Sequence, residues 1–483
     1  MIIIFYNLVS LMDYKEWVKM NSLIVTDELM IKTLEQFYLL KGNIDSKKSF
    51  FDFQSIVNSS SFYTWSAYKF SVFNYWQHRE KIHIVFNTLY NTMCVLDNSE
   101  YKEFLNIDNI NSSMRRLFIE KGLYVGQVLN EIDLYLNFSD VARKYQPRRL
   151  RLVIATTTKC NAHCIYCYEA GIFKQDFKIE NNKDLINFIT SQDISQGVHI
   201  TWFGGEPLLN TNLIDYVTEE LLKRNIKFSS YIITNGSLLN DDMLKYKFPY
   251  WHIKSMQITI DGTKDNYLKI KKYNNSSDEI YNKLIENIQF ADELGIGVDI
   301  RLNIDKNNVN DIFNLVNDLS NRFFNNINIS FYPAFIDGTD YDIDDNGRLE
   351  IVRSLLKDEI YYNKIMFIDK VYSESRIAPC NFADYLSFDI DVNGDIHTCE
   401  HYVGRSDNII GTLVNGVICD QRYYQFKLAD ECKQCIWLPK CFGGCEARRR
   451  EKNIPCMIEK YMIPAYIESL ADKLEEQEKL FYF

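Results

Sequence analysis

Short runs rich in β-branched and aromatic residues alternate with stretches of helical periodicity through the middle of the chain. These runs predict strands at residues 150–155, 198–202, 228–233, 255–260, 298–302 and 327–331. Strands that alternate with helices form a parallel sheet, and six such units are too few for a complete eight-stranded barrel. The pattern therefore predicts an α/β fold with a partial (β/α)6 TIM-like barrel over residues 147–340.

The part of the chain before this barrel has a different pattern. Residues 82–96 alternate like a pair of strands, residues 100–105 and 114–121 have the spacing of short helices, and residues 123–125 have the composition of another strand. A basic, proline-containing stretch near residue 147 marks the boundary. We therefore expect a small α/β module over residues 1–146.

Unusual residues follow several predicted strands at the point where each strand ends. The first strand leads into a loop with Cys160, the next two lead to Gly204-Gly205-Glu206-Pro207 and Asn235, and later ones lead to Asp261 and Asn303. In a parallel barrel the carboxyl ends of the strands share one face and build the active site. Convergence of these loops on one face predicts an enzyme.

The composition excludes several other classes of protein. Of the 483 residues, 46% are hydrophobic and 25% are charged, which are the values of an ordered globular protein. The net charge of -11 repels nucleic acid. No apolar run reaches the length of about 18 residues that a membrane span needs. We therefore expect a cytoplasmic protein with neither nucleic acid nor a membrane as partner, in a reducing compartment.

Most of the 12 cysteines fall into two clusters. Cys94 and Cys419 stand alone and are interpreted as buried core thiols. In a reducing compartment, closely spaced cysteines indicate thiolate ligands of iron-sulfur clusters or zinc rather than disulfides. Three thiolates on a four-iron cluster leave one iron for a ligand that the protein does not supply. The first cluster contains Cys160, Cys164 and Cys167, and the second contains Cys380, Cys399, Cys432, Cys435, Cys441, Cys445 and Cys456.

The spacing of the first cluster, with Tyr166 before its third cysteine, resembles the signature of the radical S-adenosylmethionine (SAM) superfamily. The motif Gly204-Gly205-Glu206-Pro207 looks like the motif with which the superfamily binds the methionine amino group of SAM. The Glu206 carboxylate can accept a hydrogen bond from that ammonium. The resemblance implies a [4Fe-4S] cluster that chelates SAM, and an external electron donor of the flavodoxin or ferredoxin type. One electron would then cleave SAM to methionine and a 5'-deoxyadenosyl radical.

Further residues are implied by the same resemblance. Tyr166 resembles the superfamily's neighbour of the adenine ring. Four residues lie where superfamily members contact SAM, although each also suits an ordinary strand end: Asn235, Thr259, Arg301 and Asn303.

The second cysteine cluster resembles the SPASM domain, which is a C-terminal extension of radical SAM enzymes that modify peptides. A SPASM domain carries two auxiliary iron-sulfur clusters. This resemblance implies a bridging segment at 341–379, a SPASM domain at 380–460 with a hairpin that turns at Asn393-Gly394, and a C-terminal helix at 461–483. The outer auxiliary cluster would be bound by Cys432, Cys435, Cys441 and Cys456. A zinc-ribbon-like knuckle is the alternative for these cysteines.

The inner auxiliary cluster would be bound by Cys380, Cys399 and Cys445, which leaves one position without a cysteine. That position is open to a thiolate of the substrate, or is filled by Asp384 or another oxygen ligand. Glu400 stands where sulfatase-maturating relatives carry an aspartate proposed as a base, so it is the candidate catalytic residue.

Maturases of ribosomally made peptides often carry an N-terminal winged-helix-like module that holds the leader of the precursor peptide as an added strand. Residues 1–146 have the strand and helix content for such a peptide-binding module. The leading hypothesis is a radical SAM peptide maturase that forms thioether cross-links. Carbon-carbon cross-linking, formylglycine formation as in sulfatase maturation, and epimerisation are alternatives with the same chemistry. A zinc or iron-sulfur interaction or redox protein without SAM chemistry is the alternative from a different class.

Overall fold

A computed structural model describes residues 67–108, 110, 112–127, 129–145, 149–275, 277–336, 342–357, 376, 380, 384–406, 408–418, 428–447, 456 and 459–481. The expectations for residues 1–66, for Cys419 and for most of the bridging segment lie outside these residues. Within the described part of the chain, no helix is both long and apolar enough to cross a membrane.

The N-terminal part contains a small antiparallel sheet and three helices in the described residues. Its central sheet joins Asn74–His78 (β2), Ile82–Asn87 (β3) and Thr92–Asp97 (β4) in that order, and Tyr68–Phe70 (β1) pairs with Tyr124–Gly126 (β5). Helix α1 begins at a capping box, in which Asp97 and Glu100 each accept a hydrogen bond from the other's backbone amide. The predicted strand pair and both predicted helices are confirmed. The elements are Tyr68–Phe70 (β1), Asn74–His78 (β2), Ile82–Asn87 (β3), Thr92–Asp97 (β4), Asn98–Phe104 (α1), Ser112–Glu120 (α2), Tyr124–Gly126 (β5) and Glu131–Tyr145 (α3).

Six parallel strands follow, each hydrogen-bonded to the next in chain order. They confirm the predicted α/β arrangement with six strands. The strands are Leu150–Thr157 (β6), Val198–Gly204 (β7), Phe228–Thr234 (β8), Ile253–Thr259 (β9), Gly297–Ile304 (β10) and Ile329–Phe335 (β11). The helices are Asn182–Ser191 (α4), Thr211–Lys223 (α5), Phe248–Tyr250 (α6), Lys264–Lys271 (α7), Asp278–Glu293 (α8) and Val309–Arg322 (α9).

The two faces of this sheet are buried to different degrees. On the face toward the helices, Ile232, Met256 and Ile300 are fully buried. On the opposite face the alternate positions are only half-buried, as at Tyr231 and Gln257. A parallel sheet with helices on both sides is buried on both faces. The half-buried polar positions therefore indicate an open concave surface inside the partial barrel.

The sheet continues beyond the first barrel strand. Strand β12 pairs in parallel with β6, and three short antiparallel strands extend the sheet to ten strands. The predicted hairpin is confirmed, and its turn places Gly394 at a φ of 84°. A helix is also present in the C-terminal segment of the described residues. These elements are Asp345–Leu355 (α10), Ser387–Ile390 (β12), Asp395–His397 (β13), Gly411–Thr412 (β14), Gly416–Val417 (β15), Asp430–Lys433 (α11), Leu438–Cys441 (α12) and Glu459–Phe481 (α13).

Candidate functional site

The loop after β6 holds the three cysteines of the first cluster. Its backbone is fixed by the segment at the end of α7, because the amide of His163 donates to the carbonyl of Lys271 at 2.9 Å. Burial, with smaller contributions from Glu206 and the thiols of Cys164 and Cys167, raises the pKa of Cys160 to about 11. Three half-buried thiols this close together need a cation to stabilise them as thiolates. The donor set therefore fits an iron-sulfur cluster.

A buried ion pair lies under this loop. The Lys271 ammonium is 3.0 Å from Asp261 Oδ2, and the two side chains are 4% and 0% exposed. The hydroxyl of Tyr166 donates to the same carboxylate oxygen at 2.8 Å and accepts from Lys271 at 3.0 Å. A buried charge is stable only when it is paired and hydrogen-bonded. The pair therefore fixes Tyr166, and with it the chain between Cys164 and Cys167.

The glycines after β7 lie directly on the start of the cysteine loop. The amides of Gly205 and Glu206 donate to the carbonyls of Thr157 and Lys159 at 3.0 and 2.9 Å. A Cβ on Gly204 would lie 2.0 Å from the Thr157 oxygen, and one on Gly205 would lie 2.3 Å from the Lys159 oxygen. Gly204 also has a φ of 125°. Only glycine allows the two motifs to come this close.

The carboxylate of Glu206 accepts hydrogen bonds from other residues of the protein. It is 0% exposed, and it accepts from the Thr234 hydroxyl at 2.8 Å and from the amides of Leu208 and Asn235 at 3.1 and 2.8 Å. Burial raises its pKa, which these hydrogen bonds oppose. Sequence analysis assigned Glu206 to the SAM ammonium, whereas its observed contacts join the end of β7 to the end of β8.

The other predicted SAM contacts divide into two groups. The Asn235 side-chain amide donates to Asn161 Oδ1 at 2.9 Å and lies 3.9 Å from Cys160 Sγ, so it touches the cysteine loop. Arg301 and Asn303 lie further along the concave face, joined by a hydrogen bond of 2.9 Å from Arg301 Nε. Thr259 is the register partner of Arg301 on the neighbouring strand.

Several cysteines of the second cluster lie near one another in the structure. Cys399 and Cys445 both pack against the core of Tyr402 and Ala447, and Cys380 is close enough to help raise the pKa of Cys399. Cys432 and Cys456 likewise help burial to raise the pKa of Cys435. Among the described residues, no three His, Cys, Asp or Glu side chains converge as a single metal ion requires. An iron-sulfur cluster does not require this, because each thiolate binds a separate iron.

The second cluster lies beside the first. Tyr168, next to Cys167, stacks on His401 with ring centroids 5.5 Å apart. Glu400 precedes that histidine, is exposed, and has Oε2 at 3.9 Å from Cys399 Sγ. Asp384 is buried, and its Oδ1 accepts from the amide of Leu386 at 3.1 Å.

Two residues at the site were missed by sequence analysis. Lys271 lies on an amphipathic helix, where a lysine ordinarily faces solvent, so its sequence carried no signal. Glu169 lies two positions after Cys167 and is 4% exposed, and burial raises its pKa to about 7. Its closeness to the cysteine motif was the only signal that could have found it.

Replacing Gly205 with alanine is expected to lower SAM binding and cleavage about tenfold or more, since a forced contact costs about 1–3 kcal/mol. The added methyl group would press on the backbone of Lys159 and push the cysteine loop away. SAM affinity and 5'-deoxyadenosine formation are the measurements. Gly295 is the control, because nothing lies within 4 Å of an added Cβ there, and the strain that its φ of 73° adds falls before the start of β10 rather than on the cysteine loop. An equal loss in Gly295→Ala would contradict the explanation.

Comparison with known proteins places this site in a family. The model of the radical SAM superfamily matches residues 154–319. The radical SAM cyclopropyl synthase TigE of Paramaledivibacter caminithermalis is 23% identical over 427 residues, which cover 75% of this chain and 85% of that protein. The cysteine-type anaerobic sulfatase-maturating enzyme of Clostridium novyi is 22% identical over 347 residues, covering 63% of this chain and 89% of that protein.

Among solved structures, native anSMEcpe with bound AdoMet and Cp18Cys peptide has the same fold with a TM-score of 0.53 and 16% identity. The match covers 69% of this chain and 99% of that one. The family match spans the cysteine loop and the glycine motif, whose close contact the structure shows. The [4Fe-4S] cluster and SAM are the cofactors of this superfamily, and auxiliary clusters fit its maturases. The chain is therefore an enzyme with a radical SAM domain at residues 154–319, and it is similar to maturases of peptides and proteins.

Proposed function

We propose that this enzyme modifies a ribosomally made precursor peptide and forms a thioether between a cysteine sulfur and a carbon of another residue. The observation that carries the proposal is the position of the second cysteine cluster beside the first, joined by the stacking of Tyr168 on His401. A cysteine of the substrate held between the two clusters would lie near the radical source, which would take a hydrogen atom from the other residue. It would also lie near an iron-sulfur cluster that could accept the electron released when the bond forms. The names of both relatives describe radical chemistry or maturation of a protein.

The proposed ligand sets are those that the resemblance to the family implies. Cys160, Cys164 and Cys167 would hold the cluster that binds SAM, which supplies the radical when bound. Asn235, at hydrogen-bonding distance from this loop, would orient the bound SAM. The seven remaining cysteines would form a SPASM domain, with Cys432, Cys435, Cys441 and Cys456 at the outer cluster and Cys380, Cys399 and Cys445 at the inner one.

The open concave surface is the proposed place for the peptide. It carries hydrogen-bonding groups on three neighbouring strands, including Gln257, Arg301 and Tyr332, whose hydroxyl donates to Gln257 at 2.5 Å. Such groups can hold a peptide backbone in an extended form. Glu400, exposed beside Cys399, would accept the proton that bond formation releases.

The N-terminal part would recognise the leader of the precursor. Its antiparallel sheet β2-β3-β4 with three helices has the composition of a winged-helix-like module, and an extended leader can add to the edge of such a sheet. The precursor with its leader and an external electron donor are thus the proposed partners.

Sulfatase maturation is the second candidate. It is favoured by Glu400, which directly follows Cys399, as the proposed base does in that family. It is also favoured by the 89% coverage of the sulfatase-maturating relative.

Anaerobic reaction with a cysteine-containing precursor tests the proposal. A thioether product loses two hydrogen atoms and its cysteine no longer reacts with iodoacetamide. A carbon-carbon cross-link loses the same mass but leaves the thiol reactive, and formylglycine instead gives an aldehyde that reacts with a hydrazide. Epimerisation changes no mass. A product with a reactive thiol or an aldehyde would contradict thioether formation.

Glu400→Gln is expected to slow product formation while leaving 5'-deoxyadenosine formation intact.

A further inference from the structure

The loop between Cys435 and Cys441 lies against the N-terminal part of the chain. The hydroxyl of Thr88, in the turn between β3 and β4, donates to the carbonyl of Ile436. The ring of Trp437 lies 4.9 Å from that of Tyr75 on β2. Leu438 is 0% exposed and belongs to the same hydrophobic core as the helices α1, α2 and α3. The loop is therefore packed on the N-terminal part of the chain.

Lys440, directly before Cys441, strengthens this attachment. Its side chain is 2% exposed, its ammonium donates to the side-chain oxygen of Asn91, and it lies 5.6 Å above the ring of Phe86. A lysine this deeply buried needs partners for its charge. Both partners come from the β3–β4 hairpin, so the hairpin fixes the end of α12, where Cys441 lies.

The chain after Cys456 is held by the same sheet. Helix α13 packs on β2 and β3, and Ile463 and Ile84 share one hydrophobic core. At the β2–β3 turn, Arg79 Nε donates to Asp472 Oδ1 at 2.6 Å, and the amide of Lys81 donates to Glu475 Oε1 at 3.1 Å. Both segments that carry the outer group of cysteines therefore rest on the N-terminal part.

We propose that the β2-β3-β4 sheet supports the outer auxiliary cluster, and that Thr88 and Asn91 are positioning residues for its cysteines. The inference rests on the ligand set of the proposed function. A cluster binds tightly only when its thiolates are held in the correct positions, and groups outside the ligands set those positions. The proposed leader-binding module and the outer cluster site are then one structural unit, so changes in the module are transmitted to the cluster.

The test uses the full chain, purified anaerobically and reconstituted with iron and sulfide. Thr88→Val keeps the shape of the side chain but removes the donor to Ile436, and combining it with Asn91→Gly also removes the acceptor for Lys440. We expect the double variant to lose or shift the paramagnetic resonance signal of the outer cluster, while it retains SAM cleavage. The single variant Thr88→Ser keeps the hydroxyl and is expected to show the same signal as the wild type.

Two reference variants make the outcomes distinct. Cys435→Ala identifies the signal of the outer cluster itself, so an unchanged signal and iron content there would refute the proposed ligand set. Glu131→Gln alters buried hydrogen bonds to Ser71 and Val72 in the same module, away from the loop. If Cys435→Ala removes the signal but Thr88→Val/Asn91→Gly behaves like Glu131→Gln and wild type, the proposal that the sheet supports the cluster is refuted. If circular dichroism shows that the double variant does not fold, Thr88→Val is compared with Thr88→Ser instead. A signal that is lost or shifted in Thr88→Val and kept in Thr88→Ser supports the proposal, and an unchanged signal in both refutes it.

Discussion

Replacing Cys160, Cys164 and Cys167 together with alanine is expected to abolish SAM cleavage and to remove about four of about twelve irons per chain. The three thiols share one loop and act on one another electrostatically, so they serve one cluster. Without that cluster no electron reaches SAM, and no other group in the loop replaces a thiolate. Iron and sulfide content and the yield of 5'-deoxyadenosine are the measurements.

Cys94→Ala is the matched control for this triple variant. Cys94 is 1% exposed and packs among apolar side chains of the N-terminal core, where burial raises its pKa to about 12. Its replacement should leave iron content and SAM cleavage as in the wild type. A triple variant that still produces 5'-deoxyadenosine would refute the assignment of the first cluster.

The strands of the barrel could be predicted because each one carries its own local pattern. The last strand is the instructive exception, since residues 327–331 were predicted and Ile329–Phe335 was observed. It includes Pro333, which lacks the amide hydrogen that a central strand needs. As β11 lies at the edge of the sheet, the proline is tolerated. The position of a strand within the sheet is a tertiary property that local composition does not contain.

The site was predictable to the extent that it is built from strand ends. The cysteine loop and the glycine motif come together as expected, because carboxyl ends of parallel strands share one face. The partners of Glu206 and the burial of Lys271 depend instead on which side chains meet across the interior. The attachment of the loop at Trp437 to Tyr75 joins positions far apart in sequence. A single sequence carries no record of such pairs.

The inner auxiliary cluster is expected to take its fourth ligand from a cysteine of the substrate. The proposed ligand set gives it three thiols, and Asp384, the oxygen alternative, already accepts a backbone hydrogen bond from Leu386 at its buried position. Cys380 is exposed, so this group of thiols is reachable from solvent. Iron in a sulfur-rich site favours a thiolate over a carboxylate. A bound thiolate would stay deprotonated and close to the carbon radical, which lowers the entropy cost of forming the bond.

Addition of a cysteine-containing precursor is therefore expected to change the paramagnetic resonance signal of the inner cluster, and a precursor with alanine in place of that cysteine should leave the signal unchanged and give no cross-link. Cys419→Ala should behave as the wild type in both measurements, because that cysteine is expected to be a core thiol. Cys399→Ala identifies the inner signal, since Cys399 belongs to the proposed ligand set of that cluster. A structure with precursor bound and a fourth ligand from the protein on this cluster would contradict the prediction. The auxiliary clusters would then serve only as electron carriers, and carbon-carbon bond formation or dehydrogenation would become the better assignment.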